Sequence, residues 1–406
     1  MTHDPYAALR SRDVRLYIAG NFLGTIGQQM QEIAIGWELY ERTRSAFALG
    51  LVGLVLVIPV IVLALPAGQI VDRGDRRKVL LAAQALFVMG SIGLALVTFT
   101  RGPIWSIYAL LALNGIANAF QSPAKGAFLP EIVPSSALSN GMTWNSGVWQ
   151  LAAVLGPAAG GAVIGLTHHA TMAFVLGGTG TLTFATALAL IHSRPAAARV
   201  ARSGGDLMSG LRYVWGTKVI LATLTLDMFA VLLGGATTLL PVFAKDILHV
   251  GPGGLGWLAA APSTGAVIVA LAVAHRKPMQ RAGRNLMLAV IGFGLATIGF
   301  GLSKSFWLSL ALLAIIGGLD MISVVIRATL VPLLTPDEMR GRVAAINGVF
   351  IGTSNELGGF ESGALASLIG PVGAVVVGGI GTIATVMAIA TAWPEIKQFG
   401  KLEAPS

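Results

Sequence analysis

Long uncharged runs separated by short polar knots set the pattern of this chain. Residues 49–70 carry no charge, and neither do residues 79–99. Between them stand Asp72, Arg73, Asp75, Arg76, Arg77 and Lys78, a knot that must turn through water. A membrane-crossing helix needs about 20 apolar residues. Apolar windows predict twelve such spans. In the first half they cover about residues 16–40, 46–71, 79–100, 103–128, 138–166 and 171–191. In the second half they cover about 219–243, 254–274, 285–302, 306–329, 343–369 and 372–393. The fold class expected is an all-α membrane protein. Residues 1–191 form an N-terminal six-helix bundle and residues 219–406 a C-terminal one with a short tail. The charged stretch 192–218, with Ser203, Gly204 and Gly205, links them.

The halves repeat. At one constant offset Trp105 matches Trp307, Gly115 matches Gly317, Asn118 matches Asp320, and Lys125 matches Arg327. The register continues with Pro130 and Pro332, Pro134 and Pro336, Asn145 and Asn347, and Gly156 and Gly358. With the offset one residue longer, Gly50, Gly53 and Pro59 match Gly253, Gly256 and Pro262. Six spans per half is an even number, so both halves insert with the same orientation.

Composition agrees with the pattern. Hydrophobic residues make up 55% of the chain and charged residues 11%, against about 25% charged in a soluble domain. The 52 Gly suit helices packed through small side chains. Cys is absent, which excludes disulfides, thiolate metal sites and thiol switches. The net charge of +9 would suit nucleic acid, but it is sorted by loop. With the N-terminus inside, only Arg42, Arg44, Arg101, Lys245 and Lys304 of the 27 Lys and Arg fall outside. That bias places both termini in the cytoplasm and leaves no role for nucleic acid. Residues 1–15 are polar, and no cleavable signal peptide is expected.

Polar residues at helical spacing interrupt some spans and not others. The first span carries Asn21, Thr25, Gln28 and Glu32, and the fourth carries Asn114, Asn118, Gln121 and Lys125. Both sets follow steps of four, three and four, so each lies on one helix face. The tenth carries Asp320, Ser323 and Arg327, and the seventh Thr223, Asp227 and Thr238, while spans 3, 6, 9 and 12 are nearly bare. Such stripes either line a pathway or tie helices together at about 0.6 kcal/mol per pair. A charge near the bilayer centre costs roughly 2.5–3.5 kcal/mol, so Glu32, Asp227, Asp320, Glu356 and Glu361 must each be protonated, paired or hydrated. Burial raises a carboxyl pKa, which makes Glu32 and Asp227 the leading proton or substrate-cation sites. Asp320 lies about two turns from Arg327 and is its candidate partner. Glu356 is equally open to a structural role.

The polar knot resembles a signature of the major facilitator superfamily of transporters. That signature reads Gly-x-x-x-Asp-Arg-x-x-Arg-Arg-Lys, and Gly68, Asp72, Arg73, Arg76, Arg77 and Lys78 match it. The counterpart after the eighth span, His275 to Arg281, keeps the positive charge and loses the Asp. The resemblance implies two pseudo-symmetric six-helix bundles arranged as a parallel repeat, with the substrate site between them near mid-membrane. It implies that helices 1, 4, 7 and 10 line that cavity, which would place Asn21, Thr25, Gln28, Asn114, Asn118, Gln121 and Arg327 there. It also implies a conformational gate: Gly68 lets helix 2 pack on helix 11, and Asp72 faces residues 340–343. Arg73, Arg76, Arg77 and Lys78 would serve topology and lipid phosphates.

Two further stretches narrow the branch. Gly156, Pro157, Gly160 and Gly161 resemble the Gly-Pro-x-x-Gly-Gly core of the helix 5 motif in drug/proton antiporters. Pro157 frees a carbonyl and permits a bend. Those antiporters carry an Arg in mid-helix 4, where this chain has Asn114 and Asn118. Ala8-Leu9-Arg10, Gly36-Trp37-Glu38-Leu39-Tyr40, Ala48-Leu49-Gly50 and Arg340-Gly341-Arg342-Val343 resemble the branch that contains enterobactin-type siderophore exporters.

The expected function is secondary active export of a small amphipathic or aromatic compound, siderophore- or drug-like, by proton antiport and alternating access. The expected setting is a monomer, multi-pass in the bacterial inner membrane, partnered by lipid, protons and a small-molecule substrate. An importer or lysolipid translocator on the same fold is the alternative, and a non-transporting scaffold or receptor is the alternative of another class. An enzyme is not expected. No nucleophile motif, metal-ligand helix or phosphate loop occurs, so no cofactor and no metal are expected either.

Overall fold

A computed structural model describes residues 4–192, 207–276, 279 and 281–395. No strand occurs among them. The first half supplies α1 (Arg12–Thr43), α2 (Ala46–Arg73), α3 (Arg76–Phe99), α4 (Ile104–Ile132), α5 (Leu138–Thr167) and α6 (Ala170–Leu190). The second supplies α7 (Lys218–Ile247), α8 (Gly251–Ala274), α9 (Ala282–Leu302) and α10 (Phe306–Leu333). The last helical run, Arg340–Ala392, breaks at Gly370, whose φ of 81° takes it out of the helix. Only glycine adopts that conformation cheaply, so the run is two helices, α11 (340–369) and α12 (371–392). Every predicted span therefore corresponds to one helix.

Nine helical segments among the described residues are long and apolar enough to cross a membrane, counting the α11–α12 run as one. α1 and α4 are as long but are not among the nine. They are the two helices that carry the full polar stripes, which dilute their apolar windows. Helices also extend past the apolar windows by a turn at several ends, because backbone hydrogen bonding continues where hydrophobicity stops.

Two departures from the predicted elements have local causes. α7 is not one regular helix: α-helical Lys218–Leu233 gives way to a 3₁₀ turn at Ala236–Leu239 and a π turn at Phe243–Ile247. Gly234, Gly235 and Pro241 stand in this stretch, two residues that leave a helix easily and one that cannot donate to it. The link between halves holds a helix, Leu207–Gly216; residues 193–206, with Ser203, Gly204 and Gly205, lie outside the described set. Its Val214 packs with Ile220, Leu224, Leu330, Val331 and Val343. Tyr213 donates to the Leu334 carbonyl at 2.5 Å, and Arg342 donates to Ser209 at 2.9 Å.

The chain forms two compact units by contact. Of the described residues, the first comprises 4–43, 55–192 and 251–260, and the second 44–54, 207–250, 261–276, 279 and 281–395. In the first unit α1 packs on α5 and α6, and α3 packs on α4 and α6. Tyr17, Phe128 and Phe184 centre its core, Tyr17 meeting Phe184 edge-on with ring centroids 5.7 Å apart. In the second, the α11–α12 run packs on α9 and α7, and α9 on α10; Phe243 stacks on Phe300 at 4.6 Å.

The polar knot folds as a helix start. Asp75 accepts hydrogen bonds from the backbone N–H groups of Arg77 at 3.0 Å and Lys78 at 3.2 Å, and so caps α3. Asp75→Ala should lower stability by about 0.5–2 kcal/mol, and Asp75→Ser by much less. Thermal melts of the purified variants check this; equal melts for Ala and Ser would remove the capping role.

Candidate functional site

In the first unit the α1 stripe divides. Asn21 is 4% exposed and donates to Asn145 of α5 at 3.1 Å. Thr25 is buried, Gln28 is half-buried and Glu32 is exposed. An ionised carboxylate in mid-helix cannot face lipid cheaply, so Glu32 is the member of this stripe that needs water, a partner or a proton. The residue before it behaves oppositely: Gln31 is buried and donates to Ser91 of α3 at 2.7 Å.

The α4 stripe divides in the same way. Asn118 is exposed, while Asn114 and Gln121 are buried. Asn114 turns onto α3, where its Oδ1 lies against Gly90. Gln121 accepts from Gln84 of α3 at 2.5 Å. Lys125 stands over the Phe184 ring, 5.0 Å from its centroid. So α3 is not bare: Gln84 and Ser91, two turns apart on one face, are the partners that the sequence reading missed. Their spacing of seven was the available signal. Asn21 and Gln121 are interhelical ties, Asn114 is buried against α3 with its Oδ1 unpaired, and Gln28, Glu32 and Asn118 keep part or all of their surface exposed.

The second unit holds the strongest electrostatic feature. Arg327 of α10 donates to the Asp227 carboxylate of α7, and both are buried, at 6% and 5% exposure. The partner of Arg327 is thus Asp227 rather than Asp320, which lies on its own helix. A seven-residue separation puts Asp320 about 10 Å away along the axis, whereas α7 passes beside Arg327. Asp227 and Asp320 both line a small cavity with room for about one water. Its other walls are Ala230, Val231, Ala289, Val290, Phe293, Leu319 and Ser323. Thr223 is buried and bonds back to the Val219 carbonyl at 2.6 Å. Thr238 lies beside Gly359. Glu356 and Glu361 are half-buried on α11, Glu361 accepting from Ser362 at 3.4 Å.

The signature loop is divided between exposed and anchored residues. Asp72 and Arg73 are exposed, and a Cβ on Gly68 would meet no atom within 4 Å. Arg76 and Arg77 are turned inward instead of toward lipid phosphates. Arg76 bonds Glu131 and the Ala127 carbonyl of α4, both at 3.3 Å. Arg77 donates to the Leu188 carbonyl at 2.8 Å and to Ala189. Its cation thus caps the negative end of α6, where such a charge is favourable.

The glycines of the helix 5 motif are contact points. A Cβ on Gly160 would stand 3.0 Å from Met30 of α1, and one on Gly161 would stand 2.6 Å from Gly256 at the start of α8. Gly156 lies against Gln29 of α1, and the Pro157 carbonyl lies against Gly256. The second unit contains a related crossing: Gly50 meets Gly363, Gly53 meets the Glu356 backbone, and the Phe47 and Phe360 rings are 6.1 Å apart. Repeat-related helix pairs, α8 on α5 and α2 on α11, therefore cross through glycine. No group of three or more His, Asp or Glu among the described residues is placed to hold a metal.

These features meet a consistent set of known proteins. The chain is similar to the enterobactin exporter EntS of Citrobacter koseri, 25% identical over 390 residues, covering 95% of this chain and 92% of the relative. It is 24% identical over 390 residues to EntS of Escherichia coli O1:K1, with the same coverage. Among solved structures it is similar in fold to a D-xylose-proton symporter, with TM-score 0.73, 14% identity and coverage of 97% and 100%. It is also similar to a bacterial homolog of the human lysosomal transporter Spinster, with TM-score 0.68, 15% identity and coverage of 96% of both chains. Residues 3–402 match the MFS-type family described as transmembrane secretion effector. The chain belongs to that family, and it is a multi-pass membrane transporter of a small molecule rather than an enzyme.

Proposed function

We propose that this transporter exports a small aromatic or amphipathic compound of the siderophore class from the cytoplasm, in exchange for protons. The observation that carries the reading is similarity to enterobactin exporters over 95% of the chain. It works as a monomer of two six-helix bundles in the bacterial inner membrane, with both termini cytoplasmic. Glu32 and Asn118 are exposed and Gln28 is half-buried, so all three offer polar contacts with which a catechol-like hydroxyl can exchange bonds. Glu32 and the Asp227–Asp320 pair of carboxyl groups carry the coupling charge, and the signature loop from Gly68 to Arg77 takes part in the gate.

The test uses inside-out vesicles energised with a proton gradient. A catecholate siderophore, a lipophilic drug and a lysolipid are added in turn, and a pH-sensitive dye reports proton efflux. The siderophore should give the largest dequenching. A response to lysolipid alone would replace the cargo class, and silence toward all three with folded protein would end the export reading. Glu32→Gln and Asp227→Asn, each alone, should reduce gradient-driven export at least tenfold; wild-type rates in both would remove these residues from coupling.

A further inference from the structure

Two carboxyl groups, Asp227 and Asp320, line one small space in the second unit, and the Arg327 guanidinium holds Asp227 from outside its walls. Two carboxylates and one guanidinium leave one negative charge unbalanced when all are ionised. The remaining walls come from α7, α9 and α10 and carry no charge: Ala230 and Val231, Ala289, Val290 and Phe293, Leu319 and Ser323. An unbalanced charge in such surroundings is expensive, so the triad takes up one cation. The room is that of about one water, which excludes an organic cargo.

Arg327 shows why the cation goes to Asp320. Its side chain is 6% exposed, and its Nε–H has no hydrogen-bond partner. A guanidinium carries five donors; here one is spent on Asp227, and a buried donor stays in reserve. We infer that Asp227, Arg327 and Asp320 form a one-proton site, in which Arg327 keeps Asp227 ionised and the exchangeable proton rests on Asp320. On release the Asp320 O–H bond breaks, the proton passes to cavity water, and the carboxylate left behind is the triad's one unbalanced charge, which draws the next proton in. The inference rests on the proton-coupled reading above and deepens it: Asp227 acts through Arg327 as a positioning residue, and Asp320 holds the proton.

Charge counting makes the test specific. Full-length protein is purified, and infrared difference spectra are recorded across pH steps to follow the C=O stretch of protonated carboxyl groups. One pH-titrating band should vanish in Asp320→Asn. It should vanish in Asp227→Asn as well, because Arg327 then balances Asp320. It should return in the double variant Asp227→Asn/Arg327→Gln, where Asp320 stands alone. A purely structural ion pair would not produce that return. Persistence of the band in Asp320→Asn overturns the site, as does its absence from a folded double variant. A band that responds to sodium in place of pH overturns the proton as occupant. The two single variants are near-isosteric, so they decide the question if the double variant does not fold. Because no transport is measured, failure here leaves the export reading standing, and failure of vesicle export leaves this site standing.

Discussion

Arg327→Met is expected to destabilise the protein by about 3–5 kcal/mol, the usual effect of removing one partner of a buried ion pair. The variant leaves the buried Asp227 carboxylate without its donor, beside a second carboxylate lining the same cavity. The double variant Asp227→Leu/Arg327→Met should recover most of the loss, since replacing both members with apolar side chains removes the uncompensated charge along with the bond. Asp320 is then the last ionisable group at the cavity and can take up a proton. Thermal melts in detergent, at a pH above the carboxyl range, measure both. If Arg327→Met melts like the wild type, the pair is not holding α7 to α10. If the double variant melts below the single one, its contribution is packing rather than charge.

Gly161→Ala should be nearly as damaging, at about 1–3 kcal/mol, although it adds one methyl group. The new Cβ would stand 2.6 Å from the Gly256 Cα and 2.6 Å from the Pro252 carbonyl. Both obstacles are backbone, so no side chain can rotate away, and the helices must separate. Gly363→Ala, 2.5 Å from the Gly50 Cα, should behave alike at the corresponding crossing of the second unit. Gly126→Ala is the control: nothing stands within 4 Å of its Cβ, and Ala is the better helix former. Equal melts for all three variants would show that the crossings tolerate separation and that their glycines are not required for close approach.

Much of the molecule could be read along the chain. Twelve apolar windows match twelve helices because burial of roughly 20 consecutive residues in lipid is a one-dimensional requirement. The break at Gly370 also falls in the short gap between the eleventh and twelfth windows. The internal repeat showed that Gly50 and Gly53 correspond to Gly253 and Gly256, and Gly50, Gly53 and Gly256 reappear as close contacts at repeat-related crossings. Less could be read at the candidate site. The steps of four, three and four placed Asn21 with Glu32 and Asn114 with Asn118 on shared faces. They did not separate the members that face a neighbouring helix from those that face water.

By itself, then, the sequence determined that this chain crosses a membrane as twelve helices, which spans carry polar stripes, and to which superfamily it belongs. Those properties are periodic or additive along one dimension. Only the tertiary structure decided that Asn21 is spent on Asn145, Gln121 on Gln84 and Asp227 on Arg327, while Glu32 and Asn118 stay exposed. It also turned Arg76 and Arg77 into helix ties. A hydrogen bond depends on a distance between groups far apart in the chain, set by how helices rotate and cross, and no spacing along a single helix contains it.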